Sequence, residues 1–299
     1  MSEPQASLRE RLLLGLLRVS ALLPLSLLRC IGRAIGAGMG GFSSRAKQTT
    51  ETNLRLCLPE LSEVARQQLV RQSLQETACT ALEMGPMWFW PAQKTLGLIR
   101  HIHNEALYRE ALADPRGVLV LVPHLGNWEL TGLYLSTTAT LTALYQPPKQ
   151  LLLETAILKA RSRNGGTYVP TDRRGVSALL KALKAGETVG ILPDQEPEPE
   201  SGVFAPFFGV PALTMTLGCQ LLARTRARVI MAVAWRNHAE GGFDLAFEDA
   251  GAELHEADPV AAVTAMNAAV ERLVRQHPEQ YQWEYKRFKK RPDGQPKVY

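Results

Sequence analysis

Residues 117–130 read GVLVLVPHLGNWEL, and this stretch decides the fold. Gly117–Pro123 is a short apolar run rich in Val and Leu, which is typical of a strand buried on both faces of a parallel sheet. From Glu129 onward, apolar residues recur at helical spacing. The stretch therefore predicts a buried strand, a polar turn and a helix. In α/β sheets, ligands bind outside the carboxyl ends of the strands, where this turn lies.

The predicted turn carries an imidazole, His124, and the helix after it begins with a carboxylate, Glu129. Residues five apart on one helix lie about 140° round the axis and about 7.5 Å along it, so the two can meet only if His124 precedes the helix. Gly126 would relieve crowding in the turn, and Asn127 is a candidate N-cap. A histidine whose ring is oriented by a carboxylate can take a proton from a hydroxyl. This arrangement favours acyl transfer to an alcohol; the alternative is a solvated loop histidine beside a surface glutamate.

Strands and helices alternate after this stretch, with no internal repeat or long linker between them. The predicted strands and extended segments are Leu141–Tyr145, Gly166–Thr171, Thr188–Leu192, Val229–Trp235 and Phe243–Phe247. The predicted helices are Gln150–Ser162, Arg174–Lys184, Leu213–Arg226 and Val260–His277, preceded by a helical region over Asn53–Trp90. This order predicts an α/β fold with a mixed, largely parallel central sheet flanked by helices.

The composition excludes several classes of protein. The four cysteines are scattered and contain no CxxC pair, which argues against structural zinc and against a disulfide framework. GxSxG, Walker A and HExxH motifs are absent from the sequence. The GxGxxG match at residues 36–41 does not follow a strand, so we interpret it as a flexible, small-residue segment. We therefore expect direct transfer assisted by histidine, with no metal and no cofactor.

Residues 8–42 differ in composition from the rest of the chain. Two runs of mostly Leu, Val and Ala are split by Arg18 and flanked by further arginines: Arg9, Arg11, Arg29 and Arg33. The runs are shorter than the roughly 20 residues that a membrane span needs. We predict a membrane-associated N-terminal helix within residues 1–44, which spans marginally or lies in the interface, and a single α/β domain over 45–299. A buried helix of the main domain is the alternative.

The net charge of +5 indicates an anionic partner. Guanidinium groups of Arg161 and Arg163 suit phosphate recognition, although solvated helix ends would look the same. Asp194 and Gln195 follow a predicted strand, where a residue facing the substrate is expected. Residues 286–291, KRFKKR, are typical of a site for anionic lipid or an acidic protein. We expect no nucleic-acid partner, because the chain carries no recognition module.

Several motifs in order give the chain its resemblance to a known family. They are HLGNWE at 124–129, NLRLCLPE at 53–60, RSR at 161–163, PDQ at 193–195, FAPFFGVPALT at 204–214 and PEQYQWEYKRFKKRP at 278–292. With these motifs the sequence resembles the late-acting lipid A biosynthesis acyltransferases, the lauroyl/myristoyl transferase family of Gram-negative bacteria. That family lies within a broader glycerolipid acyltransferase group that is marked by His, four residues, then Asp or Glu. The acidic, proline-rich stretch after Asp194 departs from the family pattern.

The resemblance implies transfer of a lauroyl- or myristoyl-class chain from acyl carrier protein to the 3-hydroxyl of an acyl chain on a lipid A precursor. His124 would be the general base and Glu129 its orienting partner, with Arg161 and Arg163 near the anionic substrate or the oxyanion. Asp194 and Gln195 would line the substrate site. Amides at Gly126 and Asn127 are candidates for the oxyanion site. The enzyme would act at the cytoplasmic face of the bacterial inner membrane.

Two other functions remain open from the sequence. The acceptor could be another lipid, such as an ornithine lipid, a lysophospholipid or an aryl polyene, because Gly-Asn-Trp also occurs in acyltransferases acting on other glycolipids. Alternatively, the protein could be a basic membrane-peripheral binding protein without turnover. An acceptor competition assay distinguishes a lipid A precursor from another lipid acceptor. An activity assay distinguishes an enzyme from a binding protein.

Overall fold

The computed structural model describes residues 7–148 and 150–299, apart from the side chain of Leu151. The strands in these residues are β1 Ile99–His103, β2 Val118–Leu121, β3 Leu141–Tyr145, β4 Thr167–Pro170, β5 Thr188–Ile191, β6 Gly202–Phe207, β7 Val210–Met215, β8 Arg228–Asn237 and β9 Gly242–Asp249. The helices are α1 Leu8–Ser20, α2 Leu25–Gly41, α3 Arg45–Cys57, α4 Glu63–Phe89, α5 Ala92–Leu96, α6 Glu105–Leu112, α7 Trp128–Thr138, α8 Leu151–Ser162, α9 Arg173–Lys184, α10 Leu217–Thr225 and α11 Pro259–Gln276.

Seven strands form one sheet in the order β1-β9-β8-β2-β5-β3-β4. Strands β8, β2, β5, β3 and β4 are mutually parallel, whereas β9 pairs antiparallel with β8 and β1 runs parallel to β9. The prediction of a mixed, largely parallel sheet flanked by helices is therefore confirmed.

The central strand β2 is buried on both faces, as its uninterrupted apolar sequence predicts. Leu119 and Leu121 pack into a core shared with helices α9, α10 and α11. Val118 and Val120 point to the opposite face, where α6 and α7 pack. Because successive side chains of a strand alternate between faces, an apolar residue at every position is what a sheet covered on both sides requires.

The N-terminal segment forms two helices, α1 and α2, which are separated by a turn before Pro24. Both helices pack on α4, and residues 1–6 of the predicted anchor lie outside the described residues. A Cβ atom at Gly36 would lie 2.3 Å from the Cα atom of Gln75, so this position of α2 must be glycine for the helices to pack. The interpretation of residues 36–41 as a flexible segment was wrong. In residues 7–148 and 150–299, no helix is both long enough and apolar enough to cross a bilayer.

Arg29, which the sequence placed beside the membrane, is buried in the protein. Its Nε atom lies 2.8 Å from Oε1 of Glu83 on α4, and its Nη2 atom donates to the carbonyl of Gly242. Glu83 also pairs with Arg236 of β8, whose side chain is fully buried. Each charge in this network has a partner, and removing one member of such a group typically costs about 3–5 kcal/mol.

Two predicted helical regions differ from the helices of the structure in their bounds. The predicted helix over Leu213–Arg226 begins at Leu217, because residues 213–215 belong to β7 of an antiparallel β6–β7 hairpin. The sequence did not predict this hairpin because Pro206 and Pro211 lie within its strands, and proline is rare inside sheets. The helical region predicted over Asn53–Trp90 is interrupted between Cys57 and Glu63.

Candidate active site

The candidate site lies where two adjacent parallel strands end. Strands β2 and β5 pair with Leu121 opposite Ile191, and the chain leaves each strand through a proline at the second position beyond that pair. His124 and Asp194 follow these prolines and so stand side by side. Nδ1 of His124 lies 2.8 Å from Oδ1 of Asp194, and the His124 backbone N–H donates to Oδ2 over 2.9 Å.

Asp194 is held as a buried carboxylate. Its side chain is 2 % exposed, and burial alone would raise the pKa of this group. The charge interaction with His124 and the hydrogen bonds from the His124 ring and backbone outweigh burial, so the pKa of Asp194 lies below its ordinary value. Burial and the neighbouring Asp194 raise the pKa of Tyr281, which stays a neutral phenol. The ionised carboxylate fixes the His124 tautomer with its proton on Nδ1 and the acceptor nitrogen on Nε2.

The expected pairing of His124 with Glu129 is not formed in the described chain. Glu129 lies in the first turn of α7 and receives two hydrogen bonds from Arg161, at 3.0 Å from Nε and 2.5 Å from Nη2. Both carboxylate oxygens are therefore engaged by one guanidinium. Asp194 takes the position beside His124 because it follows the neighbouring strand, whereas Glu129 faces α8.

Gly126 and Asn127 shape the turn between His124 and α7. Gly126 has φ +62°, and a Cβ atom there would lie 2.1 Å from the Ala234 carbonyl oxygen. The Asn127 side chain accepts from the Leu130 N–H, which confirms the predicted N-cap. Its amide nitrogen donates to Glu83, so the buried Arg29–Glu83–Arg236 group also contacts this turn.

The two backbone amides predicted for an oxyanion site are occupied. The Gly126 N–H donates to the carbonyl of Gln280 over 3.0 Å, and the Asn127 N–H donates to the carbonyl of Ala234 over 2.8 Å. They hold the turn against β8 and against the segment after α11. The first amides of a helix have no acceptor within it, so those of Trp128 and Glu129 are the donors that α7 offers at this end.

A cavity of about 210 Å³ opens beside His124. Its lining comes from α4, from His124 and the start of α7, and from the segment after α11: Thr77, Thr80, Ala81, Met84, His124, Trp128, Gln280, Tyr281, Gln282 and Glu284. The Trp128 ring lies 5.0 Å from the His124 ring, edge to face. The cavity thus gives His124 an apolar wall at Trp128 and Met84 and a polar wall at Gln282 and Glu284.

Gln195 is hydrogen-bonded to Gln282 of this polar wall. Its Nε2 atom donates to Oε1 of Gln282 over 3.1 Å, and the Gln282 backbone N–H donates to the His124 carbonyl over 3.1 Å. Gln195 therefore holds the segment that braces His124, and it is absent from the lining of the cavity. The expectation that it lines the substrate site remains a prediction.

Arg163 lies near Glu129 but binds the end of α4. Its Nη1 atom donates to the Trp88 carbonyl over 3.0 Å. Its Nε and Nη2 atoms are buried and have no acceptor among the described residues. Burial lowers the pKa of this guanidinium, although nearby Glu129 opposes the shift. The structure therefore brings Arg161 to Glu129 and leaves Arg163 against the end of α4.

Two cavity residues, Thr77 and Glu284, were missed from the sequence. The Thr77 hydroxyl donates to Oε2 of Glu284 over 3.0 Å, and burial raises the pKa of this glutamate. Thr77 looks like any polar residue of a helix. Glu284 lies in the motif at 278–292, which we interpreted from its neighbouring cations as a site for an anionic partner.

Comparisons with known proteins place the whole chain in one family. Residues 4–290 match the bacterial lipid A biosynthesis acyltransferase family, which is almost the whole chain. The protein therefore belongs to that family, as the motifs in its sequence suggested.

Individual relatives cover the chain nearly end to end. It is 30 % identical over 289 residues to the lipid A biosynthesis lauroyltransferase of Escherichia coli (strain K12), covering 96 % of this chain and 93 % of the relative. The palmitoleoyltransferase of the same strain is 30 % identical over 287 residues, which are 96 % of this chain and 92 % of the relative. The myristoyltransferase of that strain is 27 % identical over 271 residues, covering 88 % and 80 % of the two chains.

Proposed function

We propose that this protein transfers a lauroyl- or myristoyl-class chain from acyl carrier protein to the 3-hydroxyl of a hydroxyacyl chain on a lipid A precursor. The observation that carries the proposal is the His124–Asp194 pair, whose histidine lines a cavity, in a chain that belongs to the lipid A acyltransferase family. The relatives, a lipid A biosynthesis lauroyltransferase and a lipid A biosynthesis palmitoleoyltransferase, support the choice of a lipid A precursor as acceptor.

In the proposed reaction, Nε2 of His124 takes the proton of the acceptor hydroxyl as its oxygen attacks the thioester carbonyl carbon. Asp194 stabilises the imidazolium that forms. The tetrahedral intermediate then collapses, the carbon–sulfur bond breaks, and the carrier thiolate takes the proton from His124. An ester and a free thiol result, and His124 returns to its starting state.

The negative charge of the tetrahedral intermediate needs donors close to the carbonyl oxygen. The amides of Trp128 and Glu129 at the start of α7 are the proposed donors, because they point outward from the helix N-terminus beside the His124 turn. Arg161 is held by Glu129 in a partly buried pair, and we assign it to fixing this end of α7 against α8.

We also propose that α1 and α2 attach the enzyme to the cytoplasmic face of the inner membrane. Their exposed apolar side chains recur at three- and four-residue spacing and so form stripes: Leu8, Leu12, Leu16 and Val19 on α1, and Leu27, Ile31 and Ile35 on α2. Such stripes suit helices whose apolar face enters the bilayer interface. Packing of both helices on α4 would bring the His124 cavity close to a lipid substrate.

The test is an acyl-transfer assay on membranes that contain the protein. Radiolabelled lauroyl- and myristoyl-acyl carrier protein are incubated separately with a tetraacylated, Kdo-bearing lipid A precursor. We expect a pentaacylated product that is missing with His124→Ala. If neither donor yields a product that depends on His124, while the protein is folded and membrane-bound, the proposed reaction is wrong.

A further inference from the structure

We propose that a groove lined by Arg45, Lys286, Lys289 and Lys297 binds a phosphate of the sugar headgroup of the acceptor. The groove has a volume of about 750 Å³, within the range of about 300–1,000 Å³ for small-molecule sites. The identity of the headgroup rests on the proposed function, whereas the phosphate site itself rests on the groove.

The cations of residues 286–291 divide into two groups in the folded protein. Arg287 is buried and donates to the carbonyl of Leu213, and Arg291 donates to the carbonyl of Pro211. Lys290 contacts the carbonyl of Pro197 and lies 3.7 Å from Glu198. These three hold the C-terminal segment on the β6–β7 hairpin and on the loop before it. The side chains of Lys286 and Lys289 take no part in these contacts and are available to a ligand.

Chain segments distant in sequence bring further cations to the same groove. Arg45 begins α3, and Lys297 comes from the end of the described chain. Within residues 7–148 and 150–299, no carboxylate lies in ion-pair distance of Arg45, Lys286, Lys289 or Lys297, and the Lys286 ammonium lies 4.9 Å above the Tyr299 ring. Four cations on one concave surface, none of them held in an ion pair among the described residues, favour a dianion such as a phosphate monoester.

The remaining lining suits a sugar. Glu196, Glu198 and Glu284 share the groove with the rings of Tyr285 and Tyr299. Carboxylates accept hydrogen bonds from sugar hydroxyls, and aromatic rings offer an apolar face with a polar edge. Cations, carboxylates and rings together therefore favour a phosphorylated sugar.

Glu284 connects the groove to the catalytic cavity. It lines both the groove and the cavity beside His124, where Thr77 holds its Oε2 atom. A glycolipid with its sugar phosphate in the groove could therefore extend an acyl chain past Glu284 toward His124. The groove would fix which hydroxyl reaches the histidine, since it sets the position of the headgroup.

The test compares Lys289→Ala/Lys297→Ala with Lys181→Ala/Lys184→Ala. All four lysines are exposed, but the second pair lies on α9 and outside the groove lining. With a phosphorylated acceptor, the groove variant should raise the acceptor KM about tenfold, as expected for two partly exposed charge contacts. Its KM for a phosphatase-treated acceptor and its KM for the acyl carrier protein donor should match those of the wild type and the α9 variant.

A binding measurement keeps this proposal separate from the proposed reaction. Glucosamine 1-phosphate and unphosphorylated glucosamine are titrated into each protein, and the line width of the sugar signals in NMR spectra reports binding. Selective broadening of the phosphorylated sugar by the wild type and the α9 variant, and its loss in the groove variant, is expected even if no acyl transfer occurs. Equal broadening by all three proteins, or a groove variant that raises only the donor KM, would overturn the phosphate site.

Discussion

Nδ1 of His124 lies 2.8 Å from Oδ1 of Asp194, and the two residues occupy matching positions beyond the paired strand residues Leu121 and Ile191. Parallel register alone brings them together, since each follows its strand through a proline. The second oxygen of Asp194 binds the His124 backbone N–H, so the carboxylate fixes the ring and the loop that carries it. The proposed general base is thus oriented by the sheet and not by the helix.

Glu129 should act through Arg161, the residue to which it is bonded. Glu129→Gln and Arg161→Lys are each expected to slow transfer, because either change breaks the bidentate pair between α7 and α8. In a double-mutant cycle the second change should add little to the first, whereas Glu129→Gln and Gln195→Ala should be additive. Initial rates of the single and double variants measure this coupling. Additive losses from Glu129→Gln and Arg161→Lys would contradict the assignment.

Gly126 should tolerate a side chain far less than a glycine of the same conformation in open space. Gly126→Ala meets the Ala234 carbonyl, whereas Gly209 has φ +72° with no atom near its Cβ position. Both substitutions place alanine in the left-handed region, which lowers the free energy of unfolding by about 1–2 kcal/mol. Overlap with the Ala234 carbonyl lowers it by about 1–3 kcal/mol more at Gly126. Urea unfolding gives both free energies. A free energy of unfolding that falls equally in the two variants would show that the close approach to Ala234 is absent.

Acid should unfold the wild-type protein partly through Asp194. Its pKa is lowered in the folded state, so its ionised form stabilises the fold above the unfolded-state pKa of about 4 and this contribution is lost as pH falls through the folded-state pKa. The difference in unfolding free energy between wild type and Asp194→Asn should therefore be largest above about pH 5 and shrink below about pH 4. A difference that stays constant from pH 6 to pH 3 would argue against an ionised, stabilising Asp194.

Membrane attachment should depend on the apolar stripe of α1. Leu12→Glu/Leu16→Glu places two charges on exposed positions and is expected to reduce binding to vesicles of anionic phospholipid while leaving the fold intact. Val64→Glu/Val260→Glu is the matched control, because these valines are 80 % and 44 % exposed but lie at the starts of α4 and α11. Flotation of the proteins with vesicles measures binding, and circular dichroism checks the fold. Loss of flotation by both variants alike would remove the stripe as the attachment site.

Much of the fold could be predicted because local patterns specify it. The apolar run of β2, the N-cap at Asn127 and the alternation of strands and helices all appear in the sequence near the residues they govern. The pairing of His124 with Asp194 could not be predicted in this way. It depends on β5 lying beside β2, although β3 and β4 come between them along the chain. Strand order depends on packing of the whole sheet.

Buried charges were the other source of error. Arg29 was expected near the membrane because its sequence neighbours are apolar, but it pairs with Glu83, which lies 54 residues away along the chain. Likewise Arg287 and Arg291 looked like surface cations and instead bind backbone carbonyls. A charged residue carries no local mark of its partner, so only the tertiary structure separates structural cations from those available to a ligand.

The most direct test of the central claim is the acyl-transfer rate of Asp194→Asn compared with wild type and His124→Ala. The amide keeps the shape of the carboxylate but no longer fixes the His124 tautomer or stabilises the imidazolium, so a loss of about 10²–10⁴ in kcat is expected. Circular dichroism at neutral pH confirms that each variant is folded. A folded Asp194→Asn enzyme that transfers acyl chains at the wild-type rate, while His124→Ala is inactive, would contradict the His124–Asp194 pair as the catalytic unit.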